Sequence, residues 1–172
     1  MALGVAVAAA FALVTLPRTP PPLGRGSEAP DFSLPRLDDG TQVSLDALRG
    51  RVVLLNFWAT WCKPCEDEMP AMARLHGALQ ALGLELLAVS VDPGRDEVVR
   101  FQERLGLPFP ILLDPEKRVA RMYQTFRFPE TFLIDREGMV VERYIGPKDW
   151  DAPAYVERLQ RLLGAPAVGA LR

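Results

Sequence analysis

Cys62 and Cys65 stand two residues apart behind Trp61, in the stretch FWATWCKPCEDEMP, and the chain has no other cysteine. Thiols at that spacing can hold half of a metal site, close a small covalent staple, or exchange electrons with another disulfide. Zinc wants four ligands, and two cysteines plus one histidine leave that set incomplete. A bridge across so few residues removes little chain entropy, so a staple here gives the fold little. Redox exchange asks instead for a stabilised, reachable thiolate.

The flanking periodicities place the pair where such a thiolate forms. RVVLLNFW, before the cysteines, is a continuous apolar run, as expected of a strand buried on both faces. After them Met72, Leu75, Leu79 and Leu82 recur at steps of three and four, which predicts a helix over about 63–82, ended by Gly83. Cys62 therefore sits at a helix N-terminus, where unpaired amides and the positive dipole end lower a thiol pKa. Lys63 adds a nearby positive charge. Cys65, one turn on and more buried, is placed to resolve the mixed disulfide that Cys62 forms as nucleophile. Pro64 restrains the two-residue loop between them.

Around this unit the chain reads as follows. ELLAVSV is a second buried strand, completing a right-handed βαβ unit. DFSL and TQVSL flank PRLDDG as a short hairpin, and ETFLID and MVVERYI form another across REG. A helix is expected over 95–105, a short strand at FPILL, a helix from Asp114-Pro115 as cap and first-turn proline to about Tyr123, and a last helix from an Asp151 cap to Leu163. Residues 165–172 read as a tail. Residues 2–16 carry no charge and as a helix span about 22 Å, short of a ~30 Å hydrocarbon core. Segment 1–16 is expected to be a signal or membrane-anchor helix, although no Lys or Arg precedes it. Residues 17–28 read as a proline-rich tether and 29–164 as the folded domain. A net charge of -2 without a basic stripe excludes nucleic acid as a partner.

WCKPC after VVLLNFWAT resembles the thioredoxin superfamily. The longer pattern from APDFSL to EDEMP is similar to its TlpA/ResA branch, membrane-tethered thiol-disulfide oxidoreductases of the bacterial envelope. The resemblance runs over about 29–163. It implies an α/β thioredoxin fold, a central mixed sheet flanked by helices, with an N-terminal β-hairpin and a central helix-strand insert between Val91 and Pro129. It implies no cofactor beyond the Cys62–Cys65 disulfide and no metal. Pro70 matches the family's helix-kinking proline. Pro129 matches a cis proline lying against the cysteines, with the Phe128 backbone pairing to substrate in an extended pose. Glu68, three residues after Cys65, matches a buried acid that handles protons during exchange, and a half-buried carboxyl with a raised pKa suits that work on physical grounds alone. Asn56 stands where cytosolic thioredoxins carry an aspartate. Trp61 is expected to shield the cysteines and offer an apolar docking surface, Trp58 to lie in the core, and His76 to point outward.

The implied function is reduction of protein disulfides, with the C-x-x-C-H disulfide of apocytochrome c as substrate and a membrane thiol carrier as electron donor, outside the cytoplasmic membrane. A thiol peroxidase shares the APDFSL opening but needs a threonine three residues before its cysteine, where Ala59 stands. A copper-delivery protein of this fold needs C-x-x-x-C and a distal histidine.

Overall fold

The computed structural model describes residues 22–164, so the anchor segment 1–16, the first part of the tether and the tail 165–172 lie outside the described residues. Strand β3 (Val52–Trp58) runs through the middle of a five-stranded sheet, and all seven of its residues are buried. It pairs in parallel with β4 (Leu84–Ser90) and antiparallel with β6 (Glu130–Ile134). Short β5 (Ile111–Leu113) lies outside β4, and β7 (Val140–Ile145) lies outside β6. The hairpin of β1 (Ser33–Pro35) and β2 (Gln42–Ser44) stands apart as its own sheet. The helices are α1 (Lys63–Leu79), continued by a 3-10 turn at Gln80–Leu82, α2 (Arg95–Leu105), α3 (Arg118–Met122) and α4 (Pro153–Leu163). This mixed sheet flanked by helices is the expected fold class, with α2, β5 and α3 filling the stretch between Val91 and Pro129.

Register assigns side chains to faces, because directly opposed residues share one face. Asn56 lies opposite Thr131, and Thr131 opposite Tyr144, so these three face one way. Leu55, Phe132 and Arg143 face the other way. On that second face Phe57, Tyr123 and Phe132 form a ring cluster with centroids 5.1 to 6.1 Å apart. On the first face Trp58, fully buried as expected, stacks at 4.8 Å on Phe101 of α2.

Residues 22–37 run from one side of the sheet to the other. Gly26 N donates to Val140 O and Val140 N donates to Ser27 O, both at 2.8 Å, beside the start of β7. Farther on, Leu37 N donates to Ile111 O at 2.8 Å and Arg36 bridges Leu112, alongside β5. Leu23 is buried, and its amide and carbonyl are taken by Gln124 and Arg143. Among the described residues packing against the domain therefore already includes Leu23, because an apolar side chain in the tether finds cover.

Three local expectations differ from the fold. His76 is buried, 8% exposed, and packs edge-on against Phe109 at 6.0 Å. The loop 107–110 covers a flank of α1 that the leucine spacing alone leaves open, and this burial pushes the His76 imidazole down. Asp114 does cap α3, accepting from Arg118 N and Ala120 N at 2.8 and 2.9 Å, but from four residues upstream and not with Pro115 in the first turn. Asp151 is not a cap: α4 follows Ala152 with Pro153 as its first residue, and the Asp151 carboxylate is drawn to Arg74 at 2.6 Å.

Candidate active site

The turn between β3 and α1 is held from β4. Asp92, just past β4 and buried, accepts from Thr60 N at 2.9 Å and Thr60 Oγ1 at 2.8 Å, while Val91 N donates to Trp58 O. These bonds fix residues 59–61 and so the start of α1. Cys62 is the N-cap of α1: its Sγ accepts from Cys65 N at 3.3 Å, and Pro64 lies in the first turn. Cys62 and Cys65 form a disulfide. Cys62 is 6% exposed and Cys65 not at all, so a partner sulfur can reach only Cys62. Cys62 is less open than the sequence suggests, while Cys65 is the more buried of the two as expected.

Lys63 supplies less than expected. Its ammonium donates to Asp67 at 2.7 Å and lies 3.9 Å from Glu66, and the Asp67 hydrogen bond raises its pKa. That charge is offset by α1's own acids, which leaves the helix N-terminus as the main support for a Cys62 thiolate.

Glu68 is 3% exposed and meets three donors. Oε1 accepts from Asn56 Nδ2 at 2.9 Å; Oε2 accepts from Trp150 Nε1 at 3.0 Å and from Lys148 N at 3.1 Å. Asn56 Nδ2 also donates to Thr131 Oγ1 at 2.9 Å, so the cross-strand pair Asn56–Thr131 holds the amide in place. Burial outweighs the three donors and pushes the carboxyl up to about 7. A hollow of about 250 Å³, lined by Asp67, Glu68, Pro147, Lys148 and Asp149, opens beside it and gives water a route to the group. A group titrating near neutral pH one turn from a cysteine can take up and release protons as thiols exchange.

Sequence spacing does not point to Lys148 or Trp150, 80 and 82 residues beyond Glu68. Trp150 is buried and locked by Tyr144 and Tyr155, with ring centroids at 5.2 and 5.3 Å. Its indole N–H favours the carboxylate form, so Trp150→Phe is expected to raise the Glu68 pKa above about 7. Carboxyl chemical shifts followed against pH check this; an unchanged or lowered midpoint contradicts it.

The Phe128–Pro129 peptide, just before β6, is cis. Trp61, 63% exposed, meets Phe128 edge-on at 5.9 Å. The Pro129 carbonyl accepts from Gly146 N, whereas among the described residues no hydrogen bond engages the Phe128 amide or carbonyl. An extended chain laid along Phe128 finds that backbone available. Arg143 brackets this segment, donating to Gln124 O at 2.8 Å before it and to Glu130 Oε2 at 2.9 Å after it.

Comparison with known proteins adds three findings. The AhpC/TSA family matches residues 25–143. The thiol-disulfide oxidoreductase ResA of Geobacillus thermodenitrificans is 49% identical over 115 residues, 67% of this chain and 66% of that protein, and ResA of Bacillus subtilis is 39% identical over 124 residues, 72% and 69%. The chain thus spans about two thirds of the length of these relatives. Among solved structures, the thioredoxin domain of a thiol-disulfide oxidoreductase from Bacteroides vulgatus superposes with a TM-score of 0.72 at 26% identity, covering 82% of this chain and 99% of that one.

Proposed function

Since this chain belongs to the AhpC/TSA family, as a ResA-like thiol-disulfide oxidoreductase, we propose that it works in the reducing direction, with Cys62 as nucleophile, Cys65 as resolving thiol and Glu68 as proton carrier. The Cys62 thiolate attacks one sulfur of a protein disulfide. A mixed disulfide forms and the partner's second sulfur leaves as thiolate. Cys65, deprotonated by Glu68, then attacks Cys62 Sγ, closing the disulfide and releasing the partner's first thiolate. Two electrons pass from this chain to the partner, and protons from solvent and Glu68 complete the partner's thiols. Trp61 gives the partner an apolar contact, and Phe128 and Pro129 give its backbone a rail. The observation that carries this reading is the buried Glu68, titrating near 7 one helical turn behind the buried sulfur of Cys65.

The substrate proposed is the C-x-x-C-H disulfide of apocytochrome c. The work is placed outside the cytoplasmic membrane of a bacterium, with segment 1–16 as anchor and a membrane thiol carrier supplying electrons. Thiols exposed there oxidise unless something reduces them, which gives a dithiol its use. Lys63-Pro64 between the cysteines lacks the histidine of strongly oxidising relatives.

Two other readings have less support. Ala59 stands where a peroxidase needs threonine, and the neighbouring Thr60 hydroxyl is spent on Asp92. Copper delivery needs a histidine near the cysteines, and His76 lies about 21 Å along α1 from Cys62 at 1.5 Å per residue. A redox titration of the Cys62–Cys65 pair tests the direction. A potential near or below about -250 mV is expected; one near about -120 mV makes the protein an oxidant and overturns the reading.

A further inference from the structure

The cations near the Trp61–Cys62 turn differ between the α1 side and the segment that meets Trp61 through Lys117 and Phe128. On the α1 side each has a carboxylate: Lys63 is held by Asp67, and Arg104 by Glu66 at 2.9 Å. On the other side, between residues 116 and 128, Glu116 stands alone against Lys117, Arg118, Arg121 and Arg127. Among the described residues none of these four cations lies within ion-pairing distance of a carboxylate.

Lys117 shows that this is more than a solvated surface run. It precedes α3 at φ 55, in the left-handed region that a residue with a Cβ enters at a cost of about 1 kcal/mol or more. From there its ammonium lies 5.9 Å from the centroid of the Trp61 ring. The indole face, next to Cys62, thus carries a fixed positive charge. Arg121, one turn on in α3, donates to Glu116 O at 2.7 Å, which keeps its guanidinium beside the same turn. Arg127 stands between Phe126, 76% exposed, and Phe128. Apolar anchors rimmed by unpaired cations make a docking surface with a preferred sign of charge.

Resting on the reductase reading, we propose that this rim selects for acidic substrates: the segments this protein reduces carry Asp or Glu within a few residues of the cysteine that Cys62 attacks, on the side that lies along Phe126–Pro129. Apolar contact with Trp61 and Phe128 brings the disulfide to Cys62, and Lys117 and Arg127 read the charge of the flank. The exchange step is unchanged; the rim alters how often and how long the partner sulfur sits on Cys62.

The test uses the reduced 172-residue chain and two synthetic C-x-x-C disulfide peptides, identical except for three flanking glutamates or three flanking lysines. At low salt the acidic peptide is expected to be reduced about tenfold faster, as two or three weak surface attractions combine. At about 0.5 M salt, where screening reaches only a few ångströms, the two rates should converge. Lys117→Glu with Arg127→Glu should invert the preference. Because the ratio of the two rates is the readout, a general loss of activity does not mimic the result. Equal rates at low salt, or faster reduction of the basic peptide, overturn this proposal and leave the reductase reading standing. Failure to reduce either peptide overturns both.

Discussion

Cys62→Ser is expected to slow thiol–disulfide exchange by at least about a thousandfold, while Cys65→Ser still attacks and then stalls with its partner bound. The asymmetry follows from the caps and burial of α1. Cys62 is the N-cap and keeps a small exposed face; Cys65 is sealed. A serine hydroxyl at position 62 titrates far above neutral pH, and the helix dipole cannot bridge that gap. At position 65 serine leaves the nucleophile intact and removes only the group that releases the partner. Incubation of Cys65→Ser with a disulfide peptide, followed by intact-mass measurement, should show one peptide added through a reducible bond. Cys62→Ser should show none. An adduct on Cys65 in the Cys62→Ser variant would falsify the assignment of roles.

Glu68→Gln is the second large change, and it acts on rate and on stability through the same carboxyl. Removing a positioned proton carrier lowers the rate about a hundredfold and removes the inflection near pH 7 from the profile. For stability the sign is set by the direction of the shift. The carboxyl titrates ordinarily at 4.5 and is pushed up to about 7 in the fold, so between those values the folded chain holds a proton that the unfolded chain has lost. Its contribution is full below about pH 4.5 and disappears as pH rises through about 7. At about 1.4 kcal/mol per tenfold change in proton affinity, that loss is about 3 kcal/mol. The native chain should therefore weaken over this window by about 3 kcal/mol more than Glu68→Gln does. His76, with its pKa lowered by burial, contributes the opposite slope, lost as pH falls below its unfolded value, and it cancels in the comparison. Denaturant unfolding of both proteins at pH 5 and 7.5 measures the difference; parallel curves sink the idea. The difference in slope is the quantity to read, because a glutamine faces the Trp150 and Lys148 N–H groups with one oxygen for three donors and so loses stability at every pH.

The parts of the site that sequence made legible are those whose partners lie nearby in the chain. A seven-residue apolar run, a helix start and two cysteines are contiguous, so β3, α1 and the position of Cys62 at the start of α1 follow from local rules. The place of Glu68 one turn past Cys65 follows from spacing, and its part as a buried acid from the family resemblance. The donors that tune it do not: Asn56 needs β3 packed beneath α1, and Lys148 and Trp150 arrive from beyond β7. His76 is buried, against the outward position its helix spacing suggests, for a related reason. Three leucine and methionine positions define one stripe of α1, but α1 is also covered by the loop carrying Phe109, which has no periodicity of its own. Asp114 and Asp151 have the right residue type for caps, yet the chain turns after one and an arginine claims the other.

The run of residues 22–37 across both flanks of the sheet bears on how this protein survives its own work. A thiol-disulfide oxidoreductase that acts on proteins meets other polypeptide backbones, and an open strand at a sheet edge is a template for adding one. Here short β5 is occupied by Arg36 and Leu37, and the start of β7 by Gly26 and Ser27. Farther along β7, Glu142 is flanked by Arg25 and Arg158, charges that discourage a neighbouring strand. One continuous segment of the chain thus covers β5 and the start of β7, while among the described residues the Phe128 backbone beside Trp61 stays open to a visitor.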